Sequence, residues 1–523
     1  FGKYWPADFI TEGQDQTRGW FYSQLGAATI AFSRSPYRSV LMHGFALDAE
    51  GRKMSKSLGN VVAPDEVIGK AGVDVLRLYI LSANAPWDDL KFNWEGVKTV
   101  NRAMNILWNV YRFPLPYMIL DGYAPPADGD GRFDPARILA DLPGMPPEDR
   151  WLLSRITTLA VEVEGAMEVC ELHRATRGLL EFILADLSRW YVQLVRPRMW
   201  LEGDSPEKRQ AYDTIYLAMR TLVQLLSPFA PHLAEEIYGN LRLPGEPESV
   251  HMLDWPRPDP AFADPSLEKA MAVVRSFDDA VANARQAARR KLRWPVAEVV
   301  VEASSPGVAG ALRALGEIAR NRANAKRLTV VEGNWDRMGT RAGPVMKLIG
   351  PAFGKDAPRV KALVEAADAG DLRERLTRDG KAVLSGGGRS YELTPAQVSF
   401  ARTLPDGFTS APLEGGTVYV DSRLTPELEG EGYARELIRR LQEMRRKLNL
   451  AVEEFVIADV EIGDPRVASL VKSGWEEKIR DEVRARSLFI HETGEAGAEG
   501  DLGPVTGWDI EGIEVKTAVS RAP

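Results

Sequence analysis

The stretch Lys53-Met54-Ser55-Lys56-Ser57, continued by Leu58-Gly59-Asn60, decides how the rest of the chain is read. A given pentapeptide arises by chance in a chain of this length with a probability on the order of 10⁻⁴, so it is far more specific than degenerate motifs. Two lysines three residues apart, in a serine- and glycine-bearing loop free to close, suit a polyphosphate whose charge shifts as a bond breaks. Such a loop supports electrostatic stabilisation of a phosphoryl-type transition state, with Lys53, Lys56 and Ser55 as catalytic candidates and no covalent intermediate. The plainer alternative is a solvated basic turn.

The flanks place this loop in an α/β layer. Phe9-Ile10 ends one predicted strand, residues 17–32 (TRGWFYSQLGAATIAF) read as a helix, and residues 39–47 (SVLMHGFAL) read as a second strand closed by the turn Asp48-Ala49-Glu50-Gly51. Another helix starts near Pro64, where proline suits the first turn. The motif therefore sits past the carboxyl end of a strand, where α/β sheets bind ligands. From about Phe92 the apolar period becomes helical, with helices expected over 94–111, 147–167, 171–195, 206–226 and 231–241. That pattern is a helix bundle. Residues 121–147 read as a long surface loop. Residues 243–265, with six prolines, read as a domain boundary. Beyond them a helix over 267–292 precedes short strands (296–302, 328–332, 417–421, 455–462) mixed with helices, and no internal repeat is expected.

Composition bounds the remaining possibilities. A chain of 523 residues makes about three or four domains. The expected division is 1–97 for the α/β layer with its loop, 98–264 for the bundle, 265–330 for a basic helix with connecting strands, and 331–523 for a mixed α/β tail. Hydrophobic residues make up 45% and charged residues 27%, and no apolar run approaches the ~18 residues of a membrane span. A soluble protein is expected. The one cysteine, Cys170, forms no intrachain disulfide, and five scattered histidines give no metal cluster, so no zinc site is expected and a reducing cytoplasm fits. With 66 basic and 74 acidic residues the net charge is −8, so any RNA surface must be local.

At the pentapeptide the chain resembles the class I aminoacyl-tRNA synthetases, whose second signature it matches. Pro6-Ala7-Asp8 and Glu12-Gly13-Gln14-Asp15-Gln16-Thr17-Arg18-Gly19-Trp20-Phe21 look like the segment EGxDQxRGWF of the isoleucyl enzymes; His43-Gly44-Phe45 and Asp186-Leu187-Ser188-Arg189-Trp190-Tyr191 extend the match over most of the chain. The resemblance implies the carboxyl-terminal half of a Rossmann-like catalytic domain, a helical anticodon-binding bundle and a mixed α/β tail. It implies ATP as a substrate with magnesium, isoleucine and tRNA(Ile) as partners, and a cytoplasmic monomer. Glu12, Gly13, Asp15 and Gln16 would face the ribose hydroxyls and ammonium group of an aminoacyl-adenylate. Trp20 would wall the isoleucine side chain, and His43 with Gly44 would lie against adenine, beside Lys56. Taken alone, the Asp15-Gln16 cluster is more often a helix cap, Trp20 an ordinary core residue and His43 a structural one.

The RNA candidates come from two segments. Residues 186–200 (DLSRWYVQLVRPRMW) interleave cations with aromatics, the combination that stacks bases and contacts phosphate. Trp190 and Leu194, sharing a helix face, are assigned to packing, which leaves Arg196, Arg198 and Trp200. Residues 281–294 (VANARQAARRKLRW) carry five basic residues and no acid, with Arg285, Arg289 and Arg290 as candidates and a solvated face as the alternative. Residues 427–448 form a second basic amphipathic helix read as structural.

The sequence departs from the family pattern in three ways. It has no His-x-Gly-His signature, no editing insertion, and no terminal cysteine cluster. The chain is therefore expected to be a carboxyl-terminal portion that is catalytically incomplete alone. A non-catalytic tRNA-binding module and a valyl-type fragment stand as alternatives.

Overall fold

Apolar residues from Phe9 to Ile10 and from Val40 to Met42 build a parallel pair of strands, Ala7–Gly13 and Tyr37–His43, in the computed structural model of the chain, which describes residues 3–200, 203–451, 454–495, 497–498 and 502–522. A parallel pair needs a crossover, and the helix Trp20–Phe32 supplies it. That helix starts three residues later than its pattern suggests. Gln16 accepts the Trp20 main-chain N–H at 2.8 Å, and the residues before it, Gln14–Arg18, wind as a 3-10 turn. The second expected strand is divided into Tyr37–His43 and Ala46–Leu47. At the break, Gly44 N–H goes to Pro86 O and Phe45 N–H to the Asp89 carboxylate, so the chain pairs there with a turn rather than a strand.

The chain divides into two compact units, Phe1–Lys269 and Ala270–Pro523. In the first unit the helices Trp94–Arg112, Pro147–Glu168, Pro206–Leu226 and Pro231–Leu241 follow their apolar period closely. Trp151, Leu152, Ile156, Leu159 and Val163 fall on one face and are buried. The span expected as a single helix over 171–195 runs as Leu172–Glu181, a π-helical stretch Phe182–Tyr191, and Val192–Trp200. The expected loop at 121–147 contains the helix Pro135–Asp141, capped by Asp134. Its Ile138 is buried with Met145, Leu153, Leu217 and Phe262. Seven residues hold fewer than two helical turns, too few for a period to register.

The second unit contradicts the expectation of no internal repeat. One sheet orders its strands Phe408–Leu413, Gly416–Asp421, Val296–Ala303, Ala325–Glu332; another orders them Thr506–Ile510, Ile513–Arg521, Val456–Ile462, Ala485–Glu492. In each, two parallel strands are joined by two helices, an antiparallel hairpin is added beside the first strand, and a long helix leads in. The lead helices Pro265–Ala287 and Pro426–Lys447 end alike. Arg285 donates to the carbonyls of Ala323, Lys291 and Trp294; Arg445 donates to those of Val483, Ala451 and Glu454. The same sequence spacing relates every one of these pairs, and also Arg289 to Asn449, which both take a positive φ. The duplication lies in burial and hydrogen bonding, and few paired residues are identical. The first copy carries an insertion between its fourth and first sheet positions: strands Gly339–Pro344 and Val398–Thr403, three helices and a hairpin around Ile349, Val360, Leu372 and Leu393.

If these arginines fasten the copies, Arg285→Ala and Arg445→Ala each leave buried carbonyls without a donor, at about 1–3 kcal/mol per group. Denaturant unfolding should show each variant destabilised by at least about 2 kcal/mol, whereas Arg446→Ala, an exposed neighbour, should fall within about 0.5 kcal/mol of the parent.

Candidate active-site loop and RNA-facing surfaces

The parallel register sets Gly13 opposite His43 at the carboxyl ends of their strands, so Glu12, Gly13, His43 and Gly44 come together. Asp15 folds back beneath Gly13, where a Cβ would meet its Oδ1 at 2.6 Å. Gly44 is held as tightly, since a Cβ there would collide with the Asp88 carbonyl. Glycine is needed at Gly44, where backbone meets backbone; at Gly13 the contact is with the end of the exposed Asp15 side chain. Gln16 bonds Asp15 through its Nε2 at 3.1 Å while its Oε1 caps the following helix. Its cap role and its place beside Asp15 are compatible. Trp20 is 43% exposed in this chain. His43 is exposed, with Nδ1 2.9 Å from the Gly44 carbonyl.

The loop 53–60 leaves a short hairpin. Leu47 bridges Lys53, Asp48 N–H donates to Arg52 O, and Gly51 turns the chain at φ 80°. Ser55 caps a 3-10 turn, Lys56–Leu58, which closes on Gly59 at φ 65°. Lys53 and Lys56 are both exposed. Lys53 Nζ lies 5.8 Å from the Phe45 ring centroid.

Beneath the loop is a network that sequence reading missed. Asp48 Oδ1 accepts the Arg52 main-chain N–H at 2.7 Å; Oδ2 accepts Arg52 Nε at 2.8 Å and Asn60 Nδ2 at 2.9 Å. Asn60 Oδ1 accepts Ser55 N–H at 2.9 Å, and its Nδ2 also reaches Lys53 O at 3.3 Å. The Asn60 amide, with the Arg52 N–H and guanidinium, holds the Asp48 carboxyl down to about 2 against the opposing effect of burial. The spacing of Asp48 four residues before Arg52, with Asn60 closing the motif, was the available signal.

The RNA candidates separate by environment. Arg196 is exposed, its guanidinium 5.5 Å from the Phe113 ring centroid. Arg198 grips the fully buried Asp149 at 2.8 and 2.9 Å, and Tyr191 OH donates to the same carboxylate at 2.7 Å. Burial pushes the Asp149 carboxyl up to about 6, with Arg198 opposing. Trp200 is half-buried, 6.1 Å from Tyr117 between ring centroids. Arg198 and Trp200 are thus parts of the bundle's packing, and Arg196 alone of the three faces solvent fully.

The basic stripe is corrected more sharply. Its helix stops at Ala287, short of the expected 292. Arg285 is 1% exposed and faces three carbonyls, so it is no part of a solvent-facing stripe. Arg290 donates to Ser422 O, Lys291 pairs with Glu511 at 2.7 Å, and Arg293 pairs with Glu436 at 3.6 Å. Arg289 is exposed.

Among the described residues no helix is long and apolar enough to cross a membrane, and no group of three or more His, Cys, Asp or Glu could hold a metal ion.

Two family profiles match this layout. One, tRNA synthetases class I (I, L, M and V), covers residues 1–93; the other, anticodon-binding domain of tRNA ligase, covers residues 149–301. The isoleucine–tRNA ligase of Methanoculleus marisnigri is 60% identical over all of this chain and 49% of its own length, and that of Methanospirillum hungatei is 57% identical with the same coverage. A solved Mycobacterium tuberculosis methionyl-tRNA synthetase bound by methionyl-adenylate matches half of this chain and 51% of its own at 24% identity and a TM-score of 0.38. The chain spans about half the length of the curated relatives it matches. With the end of a class I catalytic domain leading into an anticodon-binding bundle and mixed α/β sheets, the chain is similar over its whole length to about half of each of these isoleucine–tRNA ligases.

Proposed function

We propose that the whole protein activates isoleucine with ATP and transfers it to the 3′ end of tRNA(Ile). The observation that carries this reading is the alignment of the entire chain with isoleucine–tRNA ligases at up to 60% identity, with Lys53 to Ser57 intact. In the first step an isoleucine carboxylate oxygen bonds to the α-phosphorus of ATP and the bond to pyrophosphate breaks. Lys53 and Lys56 take up the charge developing on pyrophosphate, with Ser55 shaping the loop. Glu12, Gly13, Asp15 and Gln16 hold the ribose and the ammonium group, Trp20 the isoleucine side chain, and His43 with Gly44 the adenine. Magnesium enters with the triphosphate as part of the substrate.

The strand pair and its helix expose Phe9, Tyr22, Ile30, Phe32, Val40 and Met42. Parallel sheets are ordinarily covered on both faces, so the remainder of the nucleotide-binding domain is proposed to cover these residues and to complete the site. This chain alone should then make no adenylate. For tRNA we propose the bundle, with Arg196, and the turn at Arg289 as phosphate contacts; Arg198, Trp200, Arg285 and Arg290 support them from behind. The division at 1–97, 98–264, 265–330 and 331–523, a cytoplasmic location and a monomeric state belong to the same proposal.

In the full-length protein, isoleucine-dependent ATP–pyrophosphate exchange tests the reaction. Lys56→Ala should slow it by about 10²–10³-fold, the worth of one donor to a developing charge, with isoleucine affinity nearly unchanged. An unchanged rate overturns the role of the loop. Trp20→Ala should weaken isoleucine binding more than ATP binding, and equal losses would return Trp20 to a structural role.

Binding of tRNA should weaken as salt rises. Replacing Arg196 and Arg289 together by glutamate should lower the slope of log affinity against log salt by about one unit for each phosphate that is no longer neutralised. An unchanged slope would exclude both.

A further inference from the structure

Asn60 closes the loop by joining its two ends. Its Oδ1 takes the N–H of Ser55 inside the motif, and its Nδ2 is shared between the Lys53 carbonyl at the motif's start and the Asp48 carboxylate below it. Asp48 is in turn anchored by three bonds outside the loop: Arg52 N–H, Arg52 Nε and its own N–H to Arg52 O. Lys53 is held at the pinch by its carbonyl and by its bridge to Leu47, whereas Lys56 has no comparable anchor. Lys56 opens a 3-10 turn held by Ser55 Oγ to Leu58 N–H at 3.3 Å, and Gly59 reverses the chain. The positions of both ammonium groups are therefore set at the base.

We propose that Asp48 and Asn60 form a clasp that positions Lys53 and Lys56 against the leaving pyrophosphate, Asn60 as the removable link and Asp48 as its fixed seat. The inference rests on the adenylate-forming reading above and names two positioning residues for that site. Asp48 faces Arg52 and Asn60, and Arg52 in turn pairs with Glu50. Its carboxyl titrates near 2, below its ordinary 3.8. Because the folded value is depressed, the contribution of the ionised group is complete above about pH 4 and is lost only as pH falls through about 2. Asp48 thus stays charged throughout any working range, as a seat requires and a proton carrier does not.

The polarity of the Asp48–Asn60 bond supplies the test. Asn60→Asp keeps the acceptor for Ser55 N–H but sets two carboxylates 2.9 Å apart. Asp48→Asn keeps the acceptor for Arg52 N–H and loses the charge. The double variant restores a carboxylate–amide bond with donor and acceptor exchanged, while setting a carboxylate oxygen at position 60 against the Lys53 carbonyl and an amide at position 48 against Arg52 Nε. In the full-length protein, Asn60→Asp should lower kcat for ATP–pyrophosphate exchange by about 10- to 100-fold, as small misplacements of catalytic groups do, with KM for isoleucine and the melting temperature close to the parent's. The double variant, relieved of the facing carboxylates but without the Lys53 and Arg52 Nε bonds, should recover part of that loss. Asp48→Asn should leave the shape of the pH profile unchanged. Trypsin, which cuts after Lys53 and Lys56, should cleave Asn60→Asp faster than the parent or the double variant.

A double variant no better than Asn60→Asp, or single variants that lose rate only in proportion to lost melting temperature, would overturn the clasp. Trypsin cleavage reads the loop independently of catalysis. A parent without exchange activity but with the expected cleavage pattern would overturn the reaction assignment and the positioning role with it; an active parent whose cleavage is the same in every variant would overturn the clasp alone.

Discussion

Peptide groups at the ends of strands and helices lose their regular partners, and a buried one left bare costs about 1–3 kcal/mol. This constraint shapes both units. Where the second strand stops, Asp89 and Pro86 take the N–H groups of Phe45 and Gly44. Where the 3-10 turn at Gln14–Arg18 meets the next helix, Gln16 takes the N–H of Trp20. Where the lead helices of the second unit end, Arg285 and Arg445 supply donors to three carbonyls each. Each of these side chains fixes a change of direction, and the site residues lie at such changes.

The duplicated unit serves as its own control. Arg289-Arg290-Lys291 and Asn449-Leu450-Ala451 occupy matching places, and the first residue of each takes the left-handed conformation. Asparagine tolerates that conformation better than arginine. The turn therefore folds without cations, and their presence in the first copy answers another need. For Lys291 and Arg293 that need is visible, since Glu511 and Glu436, both from the second copy, pair with them. Two of the stripe's five cations thus tie the two copies together. Arg289 is exposed beyond that tie.

Exposure carries the same kind of information in the first unit. The bundle buries its apolar face thoroughly, with Trp151, Leu152, Phe182 and Leu222 all inside. The strand pair and its helix do not, and Phe9, Val40, Met42 and Ile30 remain open. Within one chain, physics that closes one core leaves another open, and the open one bears Gly13, His43 and the exposed lysines of the loop.

The sequence by itself determined the elements with strong periods or rare words. The bundle helices were legible because eleven or more residues repeat an apolar spacing, and the loop was legible because Lys53 to Ser57 is improbable by chance. What it could not supply was any fact about partners distant along the chain. Arg285 and Arg289 look alike in a basic run, and only the carbonyl of Ala323 meeting one of them separates a buried fastener from an exposed cation. The internal repeat escaped notice because it is conserved as burial and hydrogen-bond geometry while the residues changed. Asp48 and Asn60 escaped for the same reason: a turn aspartate and a trailing asparagine acquire meaning only when the fold brings Nδ2 of one to Oδ2 of the other. Local order is written in spacing, but which side chain satisfies which orphaned group is decided by three-dimensional proximity.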